Sequence, residues 1–422
     1  MNDIQQKIHQ WLQHHRDDGI RLLRRLIQEN STRGNEGKAQ AIIIEKCREL
    51  GLSLDIWEVD INEVRSHSFF RCDRHDFSGN PNVVALWKGT GGGKSIILNG
   101  HIDVVPEGNE NDWMFDPYGA HIQNGKLYGR GSTDMKGGTV SLLLAIEALK
   151  TLDIRLKGDV IFQSVIEEES GGTGTLSALV RGYTADAAII PEPTNMKLFP
   201  KQQGSMWFRI TVKGKAAHGG TRYEGINAIE KAMYIIQGLQ QLEKRRNERI
   251  TDPLYDGIPI PIPINIGKIQ SGTWPSSVPD VAIIEGRMGV APNETLHEAE
   301  QEMEQCLKQL MEQDEWLNQH ALKLEWFGGR WQPGDIEIDH PIMKTVEKAF
   351  QQVMGYLPMI EASPWGTDGG ILSKGGGIPV VVFGPGTTEL AHDANESIVL
   401  DRVFEAAEII ALTMIDWCGL EE

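Results

Sequence analysis

Short, mostly apolar runs at residues 95–99, 160–165 and 187–190 alternate with helical patterns such as 139–152, and this alternation limits the possible folds more than any other feature of the chain. Runs of about four to eight apolar residues without polar alternation read as strands buried on both faces, as in parallel sheets covered by helices. A further run at 379–383 adds a strand near the C-terminus. Together they predict an α/β domain with a largely parallel sheet.

Between 203 and 328 the pattern changes to strand (206–212), helix (226–244), strand (263–269), strand (281–290), helix (295–313) and strand (322–326). This is the β-α-β-β-α-β order of a ferredoxin-like unit. A chain of 422 residues exceeds one ordinary domain. The expected organisation is therefore an α/β domain built from residues 1–202 and 329–422, with an α+β domain inserted at 203–328. The proline-rich stretch 253–263 is expected to be a loop.

A formal net charge of −18 opposes nucleic-acid and anionic-membrane binding, while leaving room for a local basic pocket. Residues 1–29 space Ile4, Ile8, Trp11 and Leu12 as one helix face among charged residues and contain no signal-peptide apolar stretch. No run reaches the roughly 18 apolar residues of a membrane span. Cys47, Cys72, Cys306 and Cys418 are scattered without a C-x-x-C pair, which suggests reduced thiols and a cytoplasmic location. His9, His14 and His15 read as a solvated helix face. Gly93-Lys94-Ser95 is similar to the end of a phosphate loop, but Lys88 stands where glycine is needed and a strand follows, so nucleotide binding is rejected.

In open α/β sheets, ligands bind beyond the carboxyl ends of the strands. The first run here ends in Gly100-His101-Ile102-Asp103, and alternate residues of an extended segment share a face. His101 can therefore bind a metal while Asp103 lies close enough to orient an imidazole. The second run leads to Glu167-Glu168-Glu169 and Gly171-Gly172, the third to Pro191-Glu192-Pro193, and the fourth, through a loop, to His392-Asp393-Ala394-Asn395-Glu396. Asp134, in Gly129-Arg130-Gly131-Ser132-Thr133-Asp134, precedes a helix. A lone buried histidine is usually a satisfied core residue and a glutamate triplet usually a solvated face. Convergence of five such segments on one sheet edge reverses that reading.

These motifs resemble the acetylornithine deacetylase, succinyl-diaminopimelate desuccinylase and carboxypeptidase G2 family of metallopeptidases, across nearly the whole chain from His101 to His392. The resemblance implies a zinc-peptidase-like catalytic domain and an inserted dimerisation or lid domain. It implies two divalent metal ions, zinc foremost with cobalt or manganese as alternatives, one held by His101, Asp134 and Glu192 and the other by Asp134, Glu169 and His392. Imidazole and carboxylate donors suit zinc. The family pattern D-E-E-x-G-G, anchored on Gly171-Gly172, makes Glu168 the general base and Glu169 the ligand; the alternative register makes Glu167 the base and Glu168 the ligand. A cis peptide between Asp134 and Met135 is implied as well.

By the same resemblance, His218 reaches a neighbouring subunit's site to stabilise an oxyanion, against the plain reading of a turn histidine. Arg287 becomes a clamp for a substrate carboxylate, against a plain surface arginine, and Gly366 and Thr367, in Gly366-Thr367-Asp368-Gly369-Gly370, line the substrate pocket. The expected activity is hydrolysis of the amide bond of an N-acyl amino acid or a similar small carboxylate substrate by metal-activated water, in a homodimer formed through the inserted domain. Dipeptidase, carboxypeptidase or N-formyl deformylase activity stands as an alternative, and a non-catalytic binding homologue as a second class, although no ligand or base is missing. Ser276, where many members carry asparagine, and Gln203, where desuccinylases tend to carry arginine, weaken a desuccinylase assignment.

Overall fold

The computed structural model describes residues 3–421 of the chain, so Met1 and Asn2, at the start of the N-terminal segment read above, lie outside it, as does Glu422. The described residues fall into two compact units. One comprises the chain up to Lys201, Gly334–Ser363 and the residues from Thr367 onward; the other comprises Gln202–Pro333 and Pro364–Gly366.

The first unit is built on a nine-stranded mixed sheet. At its centre Val160–Val165, Ile96–His101, Ala188–Ile190 and Val380–Val382 run parallel in that order. Every residue of these four strands is buried, which is why they read as mostly apolar runs without polar alternation, with Asn99, His101, Gln163 and Ser164 as buried exceptions. Antiparallel strands flank this centre, with Asn82–Trp87 joining Val160–Val165 and Leu198–Gln202 joining Val380–Val382. The largely parallel sheet expected from the sequence is thus parallel at its core and mixed at its margins.

Helices Gly137–Thr151 and Leu400–Cys418 pack against each other and are buried on nearly every side. A helix apolar all round belongs inside a covering layer. The amphipathic helix Asp3–His14 closes that layer through Ile8, Trp11 and Leu12. His9 lies on the exposed face expected of it, and its Nδ1 is 2.8 Å from a carboxylate oxygen of the otherwise buried Glu408. The four cysteines are free thiols.

The second unit has a four-stranded antiparallel sheet in the order Ile264–Ser271, Val281–Val290, Gly204–Lys213, Lys323–Trp331. Helices Ala228–Asn247 and Leu296–Gln313 share its separate core. The latter starts where it does because Thr295 and Glu298 form a reciprocal capping box, Thr295 Oγ1 accepting the Glu298 N–H at 3.2 Å and the Glu298 carboxylate accepting the Thr295 N–H at 2.7 Å. No described helix is long and apolar enough to cross a membrane.

Candidate metal centre

The parallel strands place their carboxyl ends on one edge of the first unit's sheet, and the polar residues that follow them converge there. His101 closes its strand. Its Nδ1 lies 2.8 Å from the main-chain carbonyl of Asp103. A carbonyl only accepts, so Nδ1 carries the proton and Nε2 is left as the lone-pair donor. Nε2 faces Asp134 Oδ1 at 3.1 Å and Glu192 Oε1 at 3.8 Å.

Asp134 turns its other oxygen the opposite way. Oδ2 lies 3.3 Å from Nε2 of His392, which stands 3.0 Å from Glu169 Oε2. Two half-sites result, His101 with Glu192 and His392 with Glu169, sharing one aspartate. His101, Asp134 and Glu169 offer donor atoms within 4.8 Å of one another, as a metal ion requires. The peptide bond between Asp134 and Met135 is cis.

Backbone geometry makes the convergence possible. A β-carbon on Gly138 would lie 1.9 Å from the carbonyl oxygen of Pro191, so only glycine lets the helix after Asp134 approach the strand end carrying Glu192. Gly172 has φ +73 and would crowd Asp368 with any side chain, which closes the turn after the glutamate triplet.

The three glutamates of that triplet part company. Glu167, in a left-handed conformation with φ 62, is fully buried and turned to Arg33 and Arg74, at 3.0 and 2.7 Å. Burial opposes its charge, but the two guanidinium groups outweigh it and hold its carboxyl below the usual range. Glu168 is buried among His101, Asp368, Glu192 and Glu169, and desolvation raises it well above an ordinary carboxyl. Glu169 faces His392.

Asp103 is used differently from expectation. Its carboxylate Oδ1 is 3.9 Å from His101 Nδ1, because both its oxygens accept the main-chain N–H groups of Glu168 and Glu169, at 3.3 and 3.1 Å. It orients the imidazole through its carbonyl and the glutamate turn through its side chain. Burial pushes its carboxyl up to about 8.

The charge balance fits cations. Burial disfavours the charged forms of both imidazoles, yet His101 is raised well above its ordinary value by Glu192 and Asp134, and His392, with Glu169 the largest cause, is raised to about 11. Glu192 is pushed well up by desolvation. Protons are thus drawn into a nest of clustered carboxylates where a divalent cation could replace them.

Of the other residues expected at the site, Thr367 belongs to the first unit, and Gly366, His218 and Arg287 to the second. Thr367 is buried, and its hydroxyl accepts the Gly369 N–H at 2.9 Å. Gly366 has no room for a side chain, since a β-carbon would lie 2.9 Å from the Gln203 carbonyl oxygen. In the second unit, His218 is exposed and its Nδ1 accepts the Gly220 N–H at 3.1 Å, leaving Nε2–H free to donate. Arg287 lies on Val281–Val290 with no hydrogen-bonding or ion-pair partner among the described residues, and burial pushes its guanidinium down to about 10.

Two residues quoted only within their motifs, Glu396 and, in the loop expected to line the substrate pocket, Asp368, stand beside the centre. Glu396 is fully buried and accepts from Arg130 and from the backbone of the Asp134 loop. Asp368 is buried with Oδ2 accepting the Thr175 hydroxyl at 2.6 Å. Both are charged residues buried by contacts between distant segments, a property that no local pattern signals.

Residues 97–416 match Peptidase family M20/M25/M40. The chain belongs to that family. As an M20 protein it is a hydrolase of amide bonds and of the metallopeptidase and amidohydrolase class. It is 33% identical over 434 residues to N-formyl-4-amino-5-aminomethyl-2-methylpyrimidine deformylase from Bacillus subtilis, covering 97% of this chain and 96% of that protein. It is 25% identical over 411 residues to a probable succinyl-diaminopimelate desuccinylase from Staphylococcus epidermidis, covering 93% of this chain and 96% of the relative. Its fold is shared with a dinuclear metal-binding M20 peptidase from Bacillus subtilis, with a TM-score of 0.63, 19% identity, and 96% and 99% of the two chains covered. The M20 fold, an α/β catalytic domain with an inserted second domain, agrees with the fold class read from the sequence.

Proposed function

We propose that this M20 hydrolase is a two-metal N-deacylase that removes a small acyl group, formyl foremost, from an amine. The observation that carries the two-metal reading is Asp134, which faces His101 with one carboxylate oxygen and His392 with the other. His101, Asp134 and Glu192 would hold one ion and His392, Asp134 and Glu169 the second. The mixed imidazole and carboxylate donors suit zinc, and cobalt or manganese can use the same set. When bound, such ions supply Lewis acidity toward the amide carbonyl and lower the pKa of water.

Glu168 performs the proton transfers in this reading. Its buried carboxylate takes a proton from water and returns it to the departing amine nitrogen, a task favoured by the burial that raises it above an ordinary carboxyl. His218 supplies an oxyanion donor through Nε2–H, from a second copy of the chain. The preference for formyl follows the near-full-length likeness to a formyl-aminopyrimidine deformylase.

A second reading, an N-acyl amino acid or dipeptide substrate, is favoured by Arg287, whose unpaired, desolvated guanidinium suits a substrate carboxylate. A substrate panel separates the two. Wild-type enzyme and Arg287→Ala would be assayed on N-formyl aminopyrimidines, N-formyl and N-acetyl amino acids, and dipeptides. The deformylase reading expects the formyl aminopyrimidine to have the highest kcat/KM and Arg287→Ala to leave it within about threefold. Faster turnover of a carboxylate substrate, with KM raised tenfold or more by Arg287→Ala, would favour the second reading. Turnover of no amide in the panel would contradict both.

A further inference from the structure

We infer that Glu396 is the positioning residue for the second half-site: its buried carboxylate sets where Asp134 and His392 stand. The inference rests on the two-metal reading and assigns this residue a task within it.

Glu396 follows His392 by four positions and is fully buried. Its Oε1 accepts the main-chain N–H groups of Thr133 and Asp134, at 2.8 and 3.1 Å. Its Oε2 accepts the Gly131 N–H at 2.9 Å and an N–H of Arg130 at 2.8 Å. The Glu396 carbonyl also accepts the Gly129 N–H at 2.9 Å. The loop from Gly129 to Asp134 therefore turns the N–H groups of Gly131, Thr133 and Asp134 onto one carboxylate in the manner of an anion nest, while the Ser132 N–H goes to the Gly129 carbonyl. The bridging aspartate is itself one of the residues so turned.

Arg130 carries the link to the other ligand. Beyond its bond to Glu396 it donates to the carbonyl of Asp393, next to His392, at 3.2 Å and to that of Pro106 at 3.3 Å. Its guanidinium lies 5.2 Å from the Trp113 ring centre. One buried acid and one buried guanidinium thus join the segments bearing Asp134 and His392. His101 and Glu192 lie on other strand ends and take no part in this clamp.

All four partners of the Glu396 side chain are donors, so glutamine at this position would keep the shape but turn an amide N–H₂ against N–H groups. The loop would have to shift, carrying Asp134 away from His392 while His101 and Glu192 stay in place. Asp134 is shared, so both ions lose part of one ligand, but only the second also loses the placement of His392; the expected result is that the second ion is weakened more than the first. Partners of this kind, once removed, typically cost 10–100-fold in metal affinity or activity.

The test titrates metal-free wild type and Glu396→Gln with cobalt(II), following visible absorption and bound metal per chain, with kcat and KM measured alongside. Wild type should take up two ions; Glu396→Gln should bind the second at least tenfold more weakly than wild type does, and the first less affected than the second. Its kcat should fall by about 10–100-fold with KM within about threefold. Circular dichroism would check the fold. If Glu396→Gln does not fold, Arg130→Lys, which keeps a cation but loses the fork that reaches Asp393 and Pro106, should weaken the second ion in the same direction. Two ions bound with wild-type affinity and unchanged absorption by every folded variant would overturn the inference alone. A wild type that takes up fewer than two ions would overturn the two-metal reading and this inference with it.

Discussion

Oδ2 of Asp103 accepts the main-chain N–H of Glu169 at 3.1 Å, so a residue two places after His101 fixes the turn from which Glu168 and Glu169 diverge. In the proposed reaction this divergence separates a proton carrier, Glu168, from a metal ligand, Glu169. Glu168→Ala should lower kcat by about 10²–10⁴-fold, the usual cost of losing a general acid-base, while leaving metal content unchanged. Glu169→Ala should lower metal occupancy together with activity. Metal analysis beside kinetics decides it: loss of an ion from Glu168→Ala, with full occupancy in Glu169→Ala, would assign the two roles the other way round.

Glu167 leads to a prediction about stability. Arg74, its side chain 9% exposed, bridges the fully buried carboxylates of Glu36 and Glu167 at 2.7 Å each. Arg74→Met leaves two buried acids short of a cation and should destabilise the protein by about 3–5 kcal/mol, the range for breaking a buried pair from one side. Urea denaturation reads this directly. A loss below about 1 kcal/mol would mean that Arg33 and solvent satisfy Glu167 without Arg74.

Parts of this architecture are legible in the sequence because the same apolar and helical patterns recur along the chain. The strand read at 160–165 is found at Val160–Val165, and the helix read at 295–313 runs over Leu296–Gln313 behind its Thr295 cap. Other elements are hidden for physical reasons. Ser53–Trp57 has no clean alternation of exposed and buried residues, and Leu198–Gln202 contains Pro200, which argues against a strand. At the centre, candidate ligands can be named because each stands just past an apolar run or at a helix start. The clamp of Glu396 and Arg130 cannot, since it forms between segments more than 260 positions apart.

The second unit leaves an edge strand and apolar helix residues exposed. Ile264–Ser271 is an edge strand of its sheet, with Ile269 exposed, and the helix Ala228–Asn247 leaves Ile229 and Met233 exposed. Unpaired edges and apolar helix faces are commonly covered by a twofold copy. Sedimentation at micromolar concentration should give a dimer, and Met233→Lys with Ile269→Lys should yield monomers of reduced activity, because His218 acts on the other copy in the proposed reaction. A wild-type monomer with full activity at high dilution would contradict this.

Metal stoichiometry tests the central claim most directly. Purified protein would be stripped with a chelator, reloaded with zinc, dialysed against metal-free buffer, and measured for bound metal and amide hydrolysis together. The two-metal reading predicts two ions per chain, near-complete loss of activity on stripping, and its recovery as both are restored. Activity that survives complete stripping, or full activity with no more than one ion per chain, would contradict the account.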